Sequence, residues 1–340
     1  MAALPNVTAP VPHGGDLERA RRRFGEPDAG WLDLSTGMNP WPWPVPALDP
    51  AVFHDLPDAG REARVAAAAR AYYGAPEGAG TVLAPGSQML IQLLPLVLPP
   101  GRVAVVHPTY GEHARCWALA GHDVVLIDDP ADMPGDACAL VLANPNNPDG
   151  RRWAPETLVD RAATMGCRAA LMVVDEAFAD VAPGASVAPW TADTDRLLVL
   201  RSFGKFFGLA GLRLGVALGA PRWTGALAQR LGRWAVSGPA LAVAERAYAD
   251  TAWIDATRDA LARARADLEA LLTDAGLTVP GGTDLFVLAE HPDAAALEAH
   301  LGRQGILVRA FRDHPAWLRF GLPPDAAARE RLRAALSSGP

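Results

Sequence analysis

The sequence contains few cysteines, and those that it has are isolated from one another. Cys116, Cys138 and Cys167 occur singly, without a CxxC pair or a partnered histidine. Because zinc sites and disulfide frameworks need such groupings, the sequence indicates neither, and no metal site is expected. The simplest interpretation is that these are buried thiols in a reducing cytosol, which favours a cytoplasmic protein.

The chain also lacks an excess of positive charge and a long apolar run. Its formal net charge is −7 over 340 residues, so it has no basic surface typical of nucleic-acid binding. The longest apolar run, residues 89–98, is interrupted by Gln92 and Pro95 and is too short to cross a bilayer. The first residues carry prolines and Asp16 in place of a charged segment followed by an apolar core, so no signal peptide is expected. We therefore expect a small molecule as partner, with no nucleic acid and no membrane.

What the sequence does have is an alternation of short apolar runs with helical or polar intervals. This alternation predicts an α/β fold with a mostly parallel sheet that is covered on both faces. Such sheets bind ligands outside the carboxyl ends of their strands, which is where the motifs described below begin. The predicted strands are residues 81–84, 103–106, 124–127, 139–143, 171–174, 197–200 and 213–218.

The last hundred residues have a different pattern, which indicates a second, smaller domain. The predicted elements are a helix or helix pair at 240–275, a strand at 285–289, a helix at 293–304, and two short strands that carry Arg309 and Arg319. The expected domains are a large ligand-binding domain at 31–240, a small α+β domain at 241–340, and an N-terminal segment at 1–30 that packs on the small domain.

One lysine is set among glycines in the segment SFGKFFGLAGLR, residues 202–213. Lys205 has a hydroxyl, Ser202, three residues before it and a guanidinium, Arg213, eight residues after it. Glycine lets the backbone approach a flat ring closely. The hydroxyl and the guanidinium can bind a phosphate, and an uncharged lysine amine is a nucleophile. This is how a lysine is presented to pyridoxal 5′-phosphate (PLP), although a surface turn with a solvated lysine is the alternative.

Two further motifs could contact the same cofactor. The turn Gly86-Ser87-Gln88 precedes the apolar run at 89–98. A hydroxyl and backbone N–H groups therefore lie at a predicted helix N-terminus, where anions bind, and a plain serine N-cap is the alternative. Tyr110 follows a strand end and could stack on the pyridine ring, although core packing or a turn would equally explain it.

Two polar residues follow the next predicted strands. Asp175 ends a very apolar run, where a buried carboxylate is costly unless it pairs with a positive charge. A protonated pyridine nitrogen is such a partner, and it lets the ring draw electrons from the substrate α-carbon. Lys205, freed when substrate takes its place, would then move protons at that carbon. Asn147 can donate its amide to the ring oxygen of the cofactor, although Asn-Pro turns are common.

The order of these motifs resembles that of the fold-type I PLP enzymes, the aminotransferase class I/II family. The resemblance implies the aspartate aminotransferase-like fold, with a mostly parallel central sheet and a smaller C-terminal α+β lobe. It also implies three catalytic residues: Lys205 forms a Schiff base with PLP, Asp175 pairs with the ring nitrogen, and Tyr110 stacks on the ring. Asn147 would contact the ring hydroxyl, and Arg319 would bind the substrate carboxylate. The residues assigned to the cofactor phosphate are Ser87, Gln88, Ser202 and Arg213, with Gly86 in the same turn.

Two differences from the family pattern indicate which branch of the family the sequence resembles. Many aminotransferases have tyrosine where this chain has Phe178, which cannot donate a hydrogen bond to the cofactor's ring oxygen. Histidinol-phosphate aminotransferases carry an Arg-Tyr-Pro segment, whereas Leu56 stands at the position of that tyrosine here. Together with residues 13–16 and 33–40, these differences resemble the threonine-phosphate decarboxylase-like branch that serves cobalamin biosynthesis. The family is usually homodimeric, so we expect a homodimer.

The resemblance implies that carbon dioxide is removed from L-threonine O-3-phosphate to give (R)-1-amino-2-propanol O-2-phosphate. Arg309 is the candidate for the substrate phosphate, with His13 and Asn39 as helpers, and an exposed cation on a strand edge is the alternative for Arg309. No motif reports which bond breaks, so a histidinol-phosphate-like aminotransferase is the second hypothesis. A non-catalytic PLP-binding regulator is the third. It would need a helix-turn-helix domain, for which the residues before His13 leave no room.

Overall fold

The computed structural model of the protein describes residues 7–166 and 170–339. This part of the chain forms two compact units, each assembled from separate stretches of sequence. The first unit contains residues 7–11, Trp43–Asn147 and the described residues of Arg152–Ala252. The second unit contains Pro12–Pro42, Pro148–Arg151 and residues 253–339.

Strands and helices alternate along most of the chain. The strands are β1 (Leu32–Asp33), β2 (Gly80–Ala84), β3 (Arg102–Val106), β4 (Asp123–Ile127), β5 (Ala139–Ala143), β6 (Leu171–Asp175), β7 (Leu197–Ser202), β8 (Gly215–Gly219), β9 (Thr278–Thr283), β10 (Phe286–Glu290), β11 (Ile306–Leu307), β12 (Arg309–Phe311) and β13 (His314–Gly321). The helices are α1 (Leu17–Phe24), α2 (Ala51–His54), α3 (Ala59–Tyr72), α4 (Ser87–Leu93), α5 (Glu112–Leu119), α6 (Pro155–Thr164), α7 (Phe203–Phe206), α8 (Pro221–Leu231), α9 (Gly238–Ala247), α10 (Thr251–Asp274), α11 (Ala294–Arg303) and α12 (Ala326–Ser337).

A seven-stranded sheet forms the centre of the first unit, with the strand order β2-β8-β7-β6-β5-β3-β4. Neighbouring strands from β7 to β4 run parallel, and β8 runs antiparallel to both β7 and β2. The strands β5 to β8 are buried along their whole length, as expected for a sheet covered on both faces. The mostly parallel sheet predicted from the sequence is confirmed.

Parallel neighbours bring several motifs to one edge of this sheet. Asp175 is the last residue of β6 and Ser202 is the last residue of β7. The Asn-Pro turn follows β5, and the segment that contains Tyr110 follows β3. Because these strands are parallel, their carboxyl ends and the residues that follow them lie along the same edge.

In two elements, the difference between the predicted and the observed boundary has a clear local cause. The apolar run at 89–98 forms α4 only as far as Leu93 and continues as a 3₁₀ turn, Leu94–Val97. The cause is Pro95, which lacks the N–H that an α-helix needs. The strand predicted at 213–218 begins at Gly215, because Arg213 has φ 54°, a left-handed conformation that a strand does not accommodate.

The second unit is built on an antiparallel sheet. Its strand order is β12-β13-β10-β9, and β1 pairs with β11 in a separate parallel ribbon. Where β12 pairs with β13, Arg309 lies opposite Arg319. Helix α1 is tied to α11 by an ion pair of 2.9 Å between Arg23 and Glu298. The α+β character predicted for the smaller lobe is confirmed.

The structure also bears on the cysteines and on the membrane. Cys116 is a buried free thiol and Cys138 is a half-buried one, whereas Cys167 lies outside the described residues. None of the helices in residues 7–166 and 170–339 combines the length and the apolar character needed to cross a membrane.

Candidate active site

Lys205 lies just beyond the carboxyl end of β7. The strand ends at Ser202, and the short helix α7 that follows carries the lysine. A Cβ on Gly204 would come within 2.6 Å of the Ala210 Cα, so only glycine allows this close return of the chain. The lysine is half-buried, and its Nζ lies 5.7 Å from the centroid of the Phe178 ring.

Asp175 is a buried carboxylate with two fixed hydrogen bonds. Its Oδ2 lies 2.9 Å from Nε2 of His113, a residue of α5 that is itself 1% exposed. Its Oδ1 accepts a hydrogen bond of 3.0 Å from the backbone N–H of Ala177. These contacts set the orientation of the carboxylate at the end of β6. His113 could not be predicted as a site residue, because its position three residues after Tyr110 matches no motif.

Tyr110 takes part in a chain of polar contacts. Its hydroxyl donates to Gln88 Oε1 at 2.9 Å, and Gln88 Nε2 donates to Glu112 Oε2 at 3.2 Å. Burial, together with the Glu112 carboxylate, raises the pKa of Tyr110, so its hydroxyl stays protonated as a donor. The ring is nearly perpendicular to that of His113, with centroids 6.0 Å apart. The structure therefore brings Tyr110 and Gln88 together, and through His113 it brings Tyr110 next to Asp175.

The residues assigned to the phosphate converge where β8 begins. Gly86 has φ 85°, and a Cβ on it would come within 2.5 Å of Arg213 Nη2. Gly215 pairs with Ser202 in the sheet, and a Cβ on Gly215 would overlap the backbone of Ser87. Two glycines thus allow two serines and one arginine to approach one another.

Three asparagines follow β5, and they have different surroundings. The side chain of Asn144 donates to two backbone oxygens, those of Trp153 and Ala185. The side chain of Asn146 donates to Pro108 O at 2.7 Å and accepts from Thr109 Oγ1 at 2.8 Å. These bonds join the turn to the segment after β3. Asn147, the residue predicted to contact the cofactor, follows them and is half-buried.

Arg309 and Arg319 form a pair within the second unit. Arg319 is 7% exposed, and its Nη2 donates to Ser35 O at 2.9 Å. Arg309 Nη2 donates to Pro12 O at 2.5 Å. Burial, and then the positive charge of Arg309, lower the pKa of Arg319 to about 9. Arg309 and Arg319 thus occupy paired positions on two strands, and two positive charges placed in this way favour an anion beside them.

The predicted helpers differ in exposure. His13 is exposed, whereas Asn39 is 3% exposed and its Oδ1 accepts the backbone N–H of Trp41 at 2.9 Å. The side chain of Asn39 is therefore engaged in shaping its own turn.

Ser35 is a residue of the second unit that sequence analysis left without a role. It is 1% exposed, and its Oγ donates to Asp33 Oδ1 at 2.6 Å and accepts the Gly15 N–H at 2.7 Å. Its carbonyl accepts Arg319. It thus connects the glycine-containing N-terminal segment to the buried arginine. Only the tertiary structure shows this, because Gly15 and Ser35 are far apart in sequence.

The sequence model of the family "Aminotransferase class I and II" matches residues 56–336. A threonine-phosphate decarboxylase of Sinorhizobium sp is 44% identical over 333 residues, which cover 97% of this chain and 99% of that protein. A threonine-phosphate decarboxylase of Pseudomonas aeruginosa is 44% identical over 326 residues, which cover 95% of this chain and 96% of that protein.

Among solved structures, the fold is similar to that of the histidinol-phosphate aminotransferase from Sinorhizobium meliloti in complex with pyridoxal-5′-phosphate. The TM-score is 0.80 and the identity is 22%, with 99% of this chain and 97% of that chain covered. At that identity, the likeness concerns the fold.

Proposed function

Since this enzyme belongs to the aminotransferase class I and II family, we propose that it binds PLP through Lys205 and decarboxylates L-threonine O-3-phosphate. The product would be (R)-1-amino-2-propanol O-2-phosphate, for use in cobalamin biosynthesis. The choice of substrate rests on the pair of Arg309 and Arg319, which suits a molecule with two anionic groups. The two threonine-phosphate decarboxylases similar over nearly the whole chain support the same choice.

The residues around Gly86 fit the phosphate of PLP. The hydroxyls of Ser87 and Ser202 and the guanidinium of Arg213 are donors, and donors to an anion form strong hydrogen bonds. A side chain at Gly86 would fill the space beside Arg213 Nη2, so the glycine keeps that space open. These residues would hold the cofactor phosphate, and Gln88 would keep Tyr110 in place by accepting its hydroxyl.

When bound, PLP supplies an electron sink for negative charge at the substrate α-carbon. Asp175 would hold a proton at the ring nitrogen, because a buried carboxylate favours a positive partner. His113 and the Ala177 N–H keep that carboxylate oriented. Tyr110 would lie against the ring, and Asn147 would donate its amide to the ring oxygen.

Lys205 would first carry the cofactor and later act as a general acid. Its amine would be available as an acid once the substrate is bound. Loss of carbon dioxide leaves an electron pair at the α-carbon, and Lys205 would donate the proton that the product carries there. Phe178, which faces the amine at 5.7 Å, has no donor for the ring oxygen.

Arg319 would bind the substrate carboxylate and Arg309 the substrate phosphate, with His13 and Asn39 as helpers. Desolvation and like charge both disfavour the protonated form of Arg319, as its lowered pKa reports. An anionic substrate would offset both effects, because its negative charge favours the protonated guanidinium.

The test is to give purified protein PLP and L-threonine O-3-phosphate. We expect release of carbon dioxide without formation of a 2-oxo acid. The Lys205→Ala variant should lose both this activity and the visible absorbance of the bound cofactor. No release of carbon dioxide, together with turnover of histidinol phosphate and 2-oxoglutarate, would instead establish the aminotransferase alternative.

We further expect a cytoplasmic homodimer, because the family is usually dimeric. Light scattering after size-exclusion chromatography measures the mass directly, and a mass equal to that of one chain would contradict the dimer.

A further inference from the structure

A buried arginine lies between two buried carboxylates in the first unit. Arg201 Nη1 is 2.7 Å from Glu176 Oε2, and its Nη2 is 3.0 Å from Asp180 Oδ2. The three residues are 3%, 0% and 1% exposed, in the order Arg201, Glu176 and Asp180. The two ends of one planar guanidinium on β7 thus hold Glu176 and Asp180, which belong to one segment after β6, in a fixed geometry.

Both carboxylates have further donors. Glu176 accepts the Ser186 hydroxyl and the Val187 N–H, each at 2.6 Å. Asp180 accepts the Tyr72 hydroxyl at 2.9 Å. Each carboxylate therefore accepts hydrogen bonds from more than one donor. Such hydrogen bonds are needed to keep a charged group buried in a folded protein.

An aromatic ring covers the arginine. The Arg201 guanidinium lies 4.1 Å from the centroid of the Tyr73 ring, and the Tyr73 hydroxyl is 3.2 Å from that of Tyr248. This packing limits the guanidinium to one plane, so the positions of both carboxylates are set by a rigid group.

Two members of this network are direct neighbours of residues assigned to the cofactor. Glu176 follows Asp175, and Arg201 precedes Ser202 in the segment that leads to Lys205. Glu176 lies just after β6, and Arg201 lies in β7. These two strands are parallel neighbours, and the Glu176 N–H donates to Leu200 O at 2.8 Å. Any shift of Glu176 against Arg201 would therefore shift Asp175 against Ser202.

We propose that Arg201, Glu176 and Asp180 are positioning residues that fix the distance between Asp175 and the Ser202–Lys205 segment. The proposal rests on the part of the proposed function in which these residues bind PLP, and it is independent of which substrate is used. None of the three is among the residues proposed to hold the cofactor. They hold the ends of β6 and β7 at a fixed spacing. At that spacing Asp175 contacts the ring nitrogen of PLP while Ser202 contacts its phosphate.

A contribution to stability alone does not explain this arrangement. Ion pairs in the interior gain little over apolar residues of similar size, because both charges lose their hydration. In this protein the members of the network flank Asp175 and Ser202, so we assign the network a role in setting the geometry of those two residues.

The experiment compares the affinity for PLP with the stability of the folded apo-protein. The variants are Glu176→Gln and Arg201→Lys. Glu176→Gln keeps the shape of the side chain, whereas Arg201→Lys keeps the charge but loses the planar guanidinium that binds two carboxylates at once. We expect the Kd for PLP, measured by absorbance titration, to rise about tenfold to a hundredfold in both. Because Asp175 moves relative to the ring nitrogen, the pH dependence of the visible absorbance should also shift.

Leu158→Ala is the matched control. Leu158 is fully buried in α6, so its truncation lowers the melting temperature of the apo-protein without touching the network. Its Kd for PLP should stay close to that of the wild type. If either network variant fails to fold, Tyr72→Phe removes one bond to Asp180 and should raise the Kd by a smaller factor.

A Kd and a pH profile equal to those of the wild type in the folded network variants would overturn the positioning role. A wild type that binds PLP no better than Lys205→Ala would overturn both this role and the proposed cofactor. The first result leaves the proposed function intact, so the two failures are distinguishable.

Discussion

Gly14 has no functional group, but it lies against an oxygen that positions Arg319, the residue proposed to bind the substrate carboxylate. A Cβ at this position would overlap the Ser35 carbonyl, the same oxygen that accepts Arg319. We predict that Gly14→Ala displaces this oxygen and raises the KM for threonine phosphate by about tenfold, the equivalent of about 1.4 kcal/mol. Steady-state kinetics measures this effect, and the Kd for PLP should be unchanged.

The matched control for Gly14→Ala is Gly225→Ala. Gly225 lies in α8, and a Cβ there meets no atom within 4 Å. This variant should keep the KM of the wild type, and alanine should favour the helix by about 1 kcal/mol relative to glycine. Equal KM values for both variants would show that the Ser35 carbonyl does not set the position of Arg319.

Arg319 gives a prediction about pH. Because burial and the charge of Arg309 lower its pKa to about 9, the protonated form that binds an anion is lost as the pH rises through that value. We expect the KM for threonine phosphate to increase there. In Arg309→Gln the like charge is gone, so the pKa of Arg319 rises and the increase in KM should move to higher pH.

The readout for Arg319 is the midpoint of the pH profile of KM. Arg309→Gln weakens binding at every pH, but only the release of Arg319 from a like charge moves the midpoint upward. An unchanged or lower midpoint in the variant would contradict the coupling of the two arginines.

At the scale of secondary-structure elements, the close contact between β8 and α4 requires that residue 215 has no side chain. A Cβ there would overlap the backbone of Ser87, where α4 begins, so Gly215→Ala must push the strand and the helix apart. Forcing extra atoms into a packed interior costs about 1–3 kcal/mol. We predict a lower melting temperature together with weaker PLP binding.

Gly211→Ala is the neighbouring control for Gly215→Ala. Gly211 lies in the 3₁₀ turn before Arg213, and no atom lies within 4 Å of a Cβ built on it. Its melting temperature and Kd for PLP should remain near those of the wild type. If Gly215→Ala binds PLP as tightly as Gly211→Ala, the contact between β8 and α4 has no part in holding the phosphate.

The positions of strands could be predicted from the sequence where the hydrophobic pattern alone determines them. The apolar runs of β5, β6 and β7 are fully buried strands and were found within two residues at either end. The antiparallel direction of β8 could not be found, because the apolar pattern of a buried strand is the same in both directions. The left-handed Arg213 was missed for a related reason, since tertiary contacts impose that conformation.

At the scale of the whole molecule, PLP should stabilise the folded protein. A ligand that binds only the native state adds about 2.7 kcal/mol when its free concentration is one hundred times its Kd. Thermal unfolding with and without PLP measures the gain. Lys205→Ala should gain much less, and an equal gain in both proteins would contradict the covalent role of Lys205.

The candidate site was predictable from sequence only in part. The lysine segment, Asp175 and the glycine turns follow strand ends in a recognisable order, so the residues proposed to hold the cofactor could be named. His113, Ser35 and Arg201 could not, because each acts through a contact with a residue far away in the chain. A single sequence does not reveal such contacts.

The ribbon of β1 with β11 has a consequence for synthesis of the protein. Leu32 pairs with Ile306, so β1 leaves the ribosome about 270 residues before its partner strand, or about 14 to 55 s earlier at about 5–20 residues per second. The second unit also takes its N-terminal stretch from Pro12–Pro42 and its last from the end of the chain. During translation, this early segment therefore has no native partner strand. It must either bind a chaperone or stay soluble by itself until the last strands emerge.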